Sequence, residues 1–101
     1  MMIITTTCAT KREAERIARA LLRERLVACV NMWPVHSVYR WKSKIEQANE
    51  WILVCKTRKG LGTKVELIIR ELHTYKLPVI ERWEVKRMSD DVEKWVTIAT
   101  R

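Results

Sequence analysis

Glycine is almost absent from the 101-residue chain, which contains only Gly60 and Gly62. Phosphate-binding loops and dinucleotide-binding turns need several glycines at fixed spacing, because the backbone approaches the phosphates closely there. The sequence therefore contains neither kind of nucleotide-binding loop. Phenylalanine is absent altogether, and residues 50–57, which predict a central strand, lack the stacking aromatics of an RNA recognition motif. RNA binding is therefore disfavoured.

The sequence also lacks any hydrophobic run that approaches the roughly 20 residues of a membrane helix. Its first residues show neither the basic nor the apolar region of a secretory signal. Cys8, Cys29 and Cys55 are odd in number and contain no C-x-x-C pair, which favours buried thiols in a reducing compartment over disulfides. We therefore expect a cytoplasmic protein.

The charged residues give a formal net charge of +8. Because Lys and Arg are spread along the chain and do not form blocks, we favour a solvated basic surface over a polyanion partner. Only three side-chain amides accompany the 32% of charged residues. This combination also favours a heat-adapted source.

The first part of the sequence predicts a strand followed by a helix. Residues 2–8 are rich in Ile and Thr, which favour strands. Thr10 and Glu13 have the spacing of a capping box, and the apolar residues that follow recur with helical period. We therefore expect a helix that begins after Thr10 and packs one face on the core.

The middle of the sequence predicts a long β-hairpin. Residues 26–30 form an apolar run that is too short for a helix and indicates a buried strand. Pro34 should bend or interrupt this stretch, which places it at a sheet edge or bulge. Strand-like residues continue at 37–41, a turn follows at 42–44, and residues 45–55 form the returning strand.

Two helices and a strand complete the chain. The second helix should be capped by Thr63 and Glu66, and residues 79–85 predict the fourth strand. Asp90 and Glu93 should cap a short third helix. The order strand, helix, strand, strand, helix, strand, helix is typical of a split βαβ fold.

This order predicts an α+β fold in a single domain that spans residues 1–101. It is a ferredoxin-like βαββαβ sandwich with a long hairpin between its second and third strands and a C-terminal helix. The helices cover one face of an antiparallel sheet, and nothing in the chain covers the other. Tyr39, Trp41, Trp51 and Trp83 lie on the strands. Large aromatics on an uncovered face predict contacts between subunits.

The side chains that could carry chemistry show no catalytic pattern. Cys8, Cys29, Cys55, His36 and His73 have no zinc-site spacing, and the cysteines lie in apolar strands where core packing is favoured. His73 lies at the predicted end of the second helix, where a capping role and a metal-ligand role both stay open. With no nucleophile motif and no paired titratable residues, we expect a protein that is not an enzyme.

Several segments, taken in order, resemble the CutA family of divalent-ion tolerance proteins essentially from end to end. They read A-C-V-N at residues 28–31, W-K-S-K-I at residues 41–45, K-T-R at residues 56–58 and H-T-Y-K-L-P at residues 73–78. The chain departs from the family pattern at Thr74 and Val79, where proline and glutamate are usual. Leu72 also stands where copper-binding members have the first of two adjacent histidines.

The resemblance implies a tight homotrimer made by the long hairpin strands, with a cleft between subunits. The cleft residues that it implies are Cys29, Tyr39, Trp41, Lys56, His73 and Tyr75. His73 and Cys29 would bind Cu(II) or another divalent cation, whereas Lys56 would favour a small anionic ligand. The alternatives are a PII-like signalling trimer that binds protein partners without metal, and aromatic residues that serve only as interface packing.

Overall fold

A computed structural model describes all residues of the chain, from 1 to 101, as three α-helices packed on one four-stranded sheet. The elements are β1 (Met2–Cys8), α1 (Lys11–Arg23), β2 (Cys29–Trp41), β3 (Lys44–Thr57), a 3₁₀ turn (Lys59–Leu61), α2 (Gly62–Leu72), β4 (Ile80–Glu84) and α3 (Asp90–Ala99). The predicted fold class and element order are confirmed. No helix has the length and apolar character needed to cross a bilayer.

The sheet has the strand order β2-β3-β1-β4, and every neighbouring pair is antiparallel. Successive side chains of a strand point to opposite faces. On β1 the buried residues Ile4, Thr6 and Cys8 therefore face the helices, and Ile3 and Thr5 lie on the opposite face. The short first strand, at the centre of the sheet, positions the residue at its end, Cys8, close to α1 and α2.

The hydrophobic core lies between the helices and this face of the sheet. Its largest fully buried apolar side chains are Ile4, Ile17, Leu21, Leu53, Ile69, Val27, Val65 and Val96. Complete burial of such a side chain stabilises the fold by about 1.5–3 kcal/mol relative to leaving it exposed. Cys8 and Cys55 are buried and Cys29 is half-buried, and all three thiols are free.

Only one of the two hydrogen bonds of the predicted capping box forms at the start of α1. The hydroxyl of Thr10 accepts a hydrogen bond of 3.1 Å from the N–H of Glu13. The carboxylate of Glu13 does not return to Thr10, so the second half of the predicted box is wrong. Glu13 is buried and accepts hydrogen bonds from Thr74, because two donors on the packed side of the helix are available there.

The predicted caps of the other helices are also wrong in detail. Helix α2 begins at Gly62, so Thr63 lies inside it and its hydroxyl accepts from Arg82. A Cβ at Gly62 would lie 2.8 Å from Met2 Sδ, so glycine allows the helix to begin against β1.

Helix α3 follows Ser89, and Asp90 is its first helical residue rather than its cap. The carboxylate of Asp90 accepts a hydrogen bond from Arg87. Glu93 does stabilise the helix start, because it accepts from the N–H of Met88 at 3.0 Å. An acidic side chain in the first turn therefore still stabilises the start of α3, although the cap residue is not the predicted one.

The β2–β3 hairpin is continuous from Cys29 opposite Lys56 to Trp41 opposite Lys44. The prediction that Pro34 interrupts the strand is wrong, whereas its predicted position at a sheet edge is confirmed. An edge strand has one side without a partner, where a missing N–H breaks no ladder bond. The strand begins later than predicted, and residues 26–28 belong to the irregular connection that precedes it.

The face of the sheet opposite the helices carries large apolar residues among polar ones and is largely uncovered. Its register brings together Ile3, Trp33, Ile52, Val54 and Trp83. Trp33 and Trp83 are each about half exposed, at 46% and 57%.

One of the aromatics predicted for this face lies elsewhere. Trp51 pairs with Cys8 on the helix side, packs against the core, and has the Lys11 ammonium 5.5 Å from its ring. Its position follows from strand alternation, since Leu53 and Cys55 share its face.

Candidate functional site

A cluster of buried polar side chains lies where β1 ends beside the start of α1 and the end of α2. Cys8 is the last residue of β1, Glu13 is in the first turn of α1, and His73 follows α2. One sulfur, nitrogen or oxygen atom of each lies within 4.8 Å of the others. We call this group the Cys8–Glu13–His73 cluster. Its three donor types are those that bind transition-metal ions in proteins.

The hydrogen bonds of His73 define its tautomer. Its Nε2 atom lies 2.8 Å from the carbonyl oxygen of Thr7, and its Nδ1 atom lies 3.2 Å from the amide nitrogen of Tyr75. A carbonyl only accepts and an amide N–H only donates, so Nε2 carries the hydrogen and Nδ1 holds a lone pair. The imidazole is therefore neutral, and the 3.5 Å approach of Glu13 to Nδ1 is not an ion pair.

Glu13 is held by Thr74. The carboxylate accepts from the amide nitrogen of Thr74 at 3.0 Å and from its hydroxyl at 3.0 and 3.1 Å. A buried carboxylate needs such donors, because losing hydration without replacing it is costly. Thr74 therefore fixes the end of α2 to the start of α1, 61 residues away in sequence.

The thiol of Cys8 is protonated at neutral pH. Burial first, and then the nearby carboxylates of Glu13 and Glu50, raise the pKa of Cys8 to about 12. Its sulfur lies 3.9 Å from Nε2 of His73. Since metal ions bind the thiolate, an ion at this cluster would have to displace the Cys8 proton.

A cavity of 560 Å³ opens beside the cluster, between the hairpin and residues 75–79. Three aromatic side chains, Tyr39, Trp41 and Tyr75, line it together with Leu77 and Val79. We call it the aromatic cavity. Its charged lining residues are Glu50, which is buried, and Arg40 and Lys76, which are exposed.

Tyr75 joins the cluster to the aromatic cavity. Its ring lies 4.8 Å from that of His73, at an interplanar angle of 45°. Its hydroxyl donates to Oε2 of Glu50 at 2.7 Å. Burial, followed by this bond to Glu50, raises the pKa of Tyr75 above its usual range. The tyrosine is therefore a neutral donor at physiological pH.

The chain brings together only part of the predicted site. Tyr39, Trp41 and Tyr75 share the aromatic cavity, and His73 lies behind Tyr75. Cys29 and Lys56 pair with each other farther along the hairpin.

Lys56 lies five residues beyond Trp51, the partner of Cys8, which is about 17 Å at strand spacing. Its ammonium donates to Asn31 at 2.7 Å. Cys29 and Lys56 are therefore separate from His73 within one chain. Their predicted grouping in one cleft stays a prediction that depends on a neighbouring subunit.

Three residues of the site were not predicted from the sequence. Cys8 was assigned to core packing, Glu13 to a helix cap, and Glu50 was not singled out. For Glu13 a signal was present, because it lies four residues before Ile17 on the apolar side of the helix. A carboxylate at such a position predicts a buried partner.

Residues 2–99 match the profile of the family described as CutA1 divalent ion tolerance protein. The chain belongs to the CutA1 family. The divalent-cation tolerance protein CutA of Pyrococcus horikoshii is 37% identical over 101 residues, which cover 100% of this chain and 99% of that protein. The resemblance of the sequence to the CutA family is thus confirmed.

Solved CutA structures have the same fold as this chain. CutA1 from Pyrococcus horikoshii has a TM-score of 0.96 at 36% identity, covering 100% of this chain and 99% of that one. The PII-like protein CutA from Nostoc sp. PCC 7120, in apo form, has a TM-score of 0.93 at 35% identity, covering 100% and 98%. At this similarity the whole chain shares the CutA fold.

The departure of this CutA1 chain at Thr74 has a structural consequence. Proline, the usual residue of the family there, has neither a backbone N–H nor a hydroxyl. In this chain both groups of Thr74 bind Glu13. In this chain the anchoring of Glu13 therefore depends on Thr74.

Proposed function

We propose that this CutA1 chain forms a homotrimer that binds a divalent cation, with Cys8, Glu13 and His73 as the binding groups. The observation that carries the proposal is the approach of their donor atoms to within 4.8 Å of one another. A thiolate and an imidazole favour Cu or Zn over Mg or Ca, which prefer oxygen ligands alone. The name of the Pyrococcus horikoshii relative, divalent-cation tolerance protein, agrees with this chemistry.

The donor set fits such an ion if two interactions change. The lone pair of His73 Nδ1, which lies 3.5 Å from Oε2 of Glu13, must give up the hydrogen bond that it accepts from the amide of Tyr75. The Cys8 proton must leave, and its raised pKa of about 12 makes this costly at neutral pH. Cation binding should therefore release a proton and become tighter as the pH rises.

The test is a calorimetric titration of Cu(II) into the wild-type protein and the variants His73→Ala and His36→Ala. We expect one saturable site per chain that is lost in His73→Ala and kept in His36→Ala. His36 is the matched control, because it is the other histidine and lies exposed on the hairpin. Binding that disappears in His36→Ala and persists in His73→Ala would contradict the proposal.

The trimeric state is proposed from the uncovered sheet face. Ile3, Trp33, Ile52, Val54 and Trp83 lie on this face among polar residues such as Thr5 and Lys56, and exposed patches that include large apolar side chains mark interfaces. Light scattering should give three times the chain mass of 12.0 kDa. A mass of 12.0 kDa would refute the trimer and any cleft shared between subunits, whereas the Cys8–Glu13–His73 cluster would be unaffected because one chain supplies it.

The second candidate function is a PII-like signalling trimer that binds partners without metal. It is favoured by one observation: the polar atoms of His73 and Glu13 already have hydrogen-bond partners within the chain. The Nostoc relative is itself described as PII-like. A wild-type protein that is trimeric and takes up no Cu(II) would support this function over cation binding.

A further inference from the structure

The aromatic cavity contains a buried carboxylate with unused hydrogen-bonding capacity. Glu50 is only 7% exposed, and its Oε2 atom accepts from the hydroxyl of Tyr75. No donor of the chain binds its Oε1 atom, which is not fully buried and reaches the solvent of the cavity. Buried carboxylates are normally paired with a cation or with several donors. The residue nevertheless lines a cavity that is large enough for a small molecule.

We infer that the aromatic cavity binds a small organic ammonium ion, which Glu50 recognises and the aromatic rings enclose. An ammonium group supplies both missing features, a positive charge and N–H donors for Oε1. The inference goes beyond the proposed cation site, since it concerns different residues and an organic ligand. All lining residues come from one chain, and Tyr39, Trp41 and Glu50 lie on the same sheet face as Trp33 and Ile52, the face proposed for subunit contacts.

The three aromatic side chains support a cationic ligand. Tyr39, Trp41 and Tyr75 line the same cavity as Glu50. The faces of aromatic rings carry partial negative charge and attract ammonium groups, by about 0.5–1 kcal/mol when exposed and about 2 when desolvated. A carboxylate surrounded by several aromatic rings is the composition with which proteins recognise organic ammonium ions.

The burial of Glu50 decides the sign of the ligand charge, although Arg40 and Lys76 also line the cavity. These two cations are exposed, and the attraction between charges falls about fourfold between an effective dielectric constant of 20 and that of water. Salt screens exposed charges further. The buried carboxylate is therefore the dominant charge, and the exposed cations can at most bind an acidic group at the opposite end of the ligand.

The cavity volume limits the size of the ligand. A volume of 560 Å³ lies within the range of about 300–1,000 Å³ that is typical of small-molecule sites. Leu77 and Val79 add apolar walls beside the aromatic rings. The ligand class is therefore a compact amine with an apolar or aromatic body, and 2-phenylethylammonium is a suitable probe.

The experiment is a calorimetric comparison of 2-phenylethylammonium with 3-phenylpropionate, an anion of similar shape. We expect the ammonium probe to bind to the wild-type protein and the anion to bind more weakly or not at all. Glu50→Gln should weaken ammonium binding by about tenfold to a hundredfold, because it removes the charge from the hydrogen bond. Glu71→Gln, an exposed change of equal charge on α2, should leave the affinity within about twofold.

Three outcomes would overturn the inference. They are preferential binding of 3-phenylpropionate, ammonium binding that Glu50→Gln leaves unchanged, and no saturable ammonium binding to the wild-type protein. The last result together with dissociation of the oligomer in Glu50→Gln would show that a side chain of a second copy occupies the cavity. If Glu50→Gln does not fold, Tyr39→Ala replaces it, because the exposed ring of Tyr39 contributes little to the core. This variant should also lose ammonium affinity.

Discussion

The two sides of Tyr75 differ in how their buried polar atoms are satisfied. On one side Glu13 accepts hydrogen bonds from the N–H and the hydroxyl of Thr74, and His73 uses both ring nitrogens. On the other side Glu50 has the hydroxyl of Tyr75 as its single donor. On the side facing the core, the chain itself supplies hydrogen-bond partners for Glu13 and His73. On the side facing the cavity, it supplies only one donor for Glu50.

This difference separates a structural role from a binding role. A fully bonded buried network stabilises the fold and resists any ligand that must break its bonds. An acceptor that the chain leaves to water can instead exchange that water for a donor of a ligand without breaking a bond of the protein. A cation at the Cys8–Glu13–His73 cluster therefore competes with existing hydrogen bonds, and an ammonium ion in the aromatic cavity does not.

The largest loss of stability should come from removing the carboxylate of Glu13, the acceptor on the side of Tyr75 that faces the core. Glu13→Ala removes the two charge-assisted hydrogen bonds that Thr74 donates to the buried carboxylate. We expect the free energy of unfolding to fall by about 3 kcal/mol, measured by urea denaturation at fixed protein concentration. This loss would show that the network holds the end of α2 to the start of α1.

Glu15→Ala is the matched control on the same helix. Its carboxylate lies 4.0 Å from Lys11, and both side chains are largely exposed, so the change should cost less than about 0.5 kcal/mol. Equal losses in Glu13→Ala and Glu15→Ala would mean that burial of Glu13 contributes nothing. The structural role assigned to the hydrogen bonds of Glu13 would then be wrong.

The next largest effect is a loss of stability at alkaline pH, which tests the burial of the Cys8 thiol on the core side of Tyr75. The pKa of this thiol rises from 9.0 to about 12 in the folded protein. Below about pH 9 the thiol is protonated in both states, and its stabilising contribution is complete. Above about pH 9 only the unfolded state loses the proton, so stability falls by about 1.4 kcal/mol per pH unit until the folded thiol also ionises.

The measurement is the slope of unfolding free energy against pH between about 9.5 and 10.5. Cys8→Ala should make this slope shallower by about 1.4 kcal/mol per pH unit. Thr6→Ala is the control, because Thr6 is buried on the same face of β1 and does not titrate. If Cys8→Ala and the wild-type protein have the same slope, the thiol is not shielded by burial and carboxylates.

Strands and helix caps could be predicted where they depend on residues close together in the sequence. The Ile and Thr residues of β1 and the Thr10 cap of α1 are confirmed. The cap of α2 was mispredicted because close packing of Gly62 on Met2, 60 residues away, moved the helix start. Periodicity cannot show a contact of that range.

The candidate site was predictable only where the residue type alone carried information. His73 belongs to the cluster, and the aromatic residues Tyr39, Trp41 and Tyr75 line the cavity, whereas their roles in binding stay predictions. Glu13 and Glu50 were missed, because a carboxylate is normally exposed and its burial depends on donors elsewhere. Their donors, Thr74 and Tyr75, lie 61 and 25 residues away.

The smallest effect should come from the residue that joins the two sides. Tyr75→Phe keeps the ring beside His73 and removes only the hydroxyl that binds Glu50. We expect a loss of about 1 kcal/mol in unfolding free energy, because one hydrogen bond disappears while Glu50 can recruit water from the cavity. The double variant Glu13→Ala/Tyr75→Phe should lose the sum of the two single effects within about 0.5 kcal/mol. A coupling larger than this would show that Glu13, His73, Tyr75 and Glu50 act as one network, and an organic ligand at Glu50 would then change cation binding at His73.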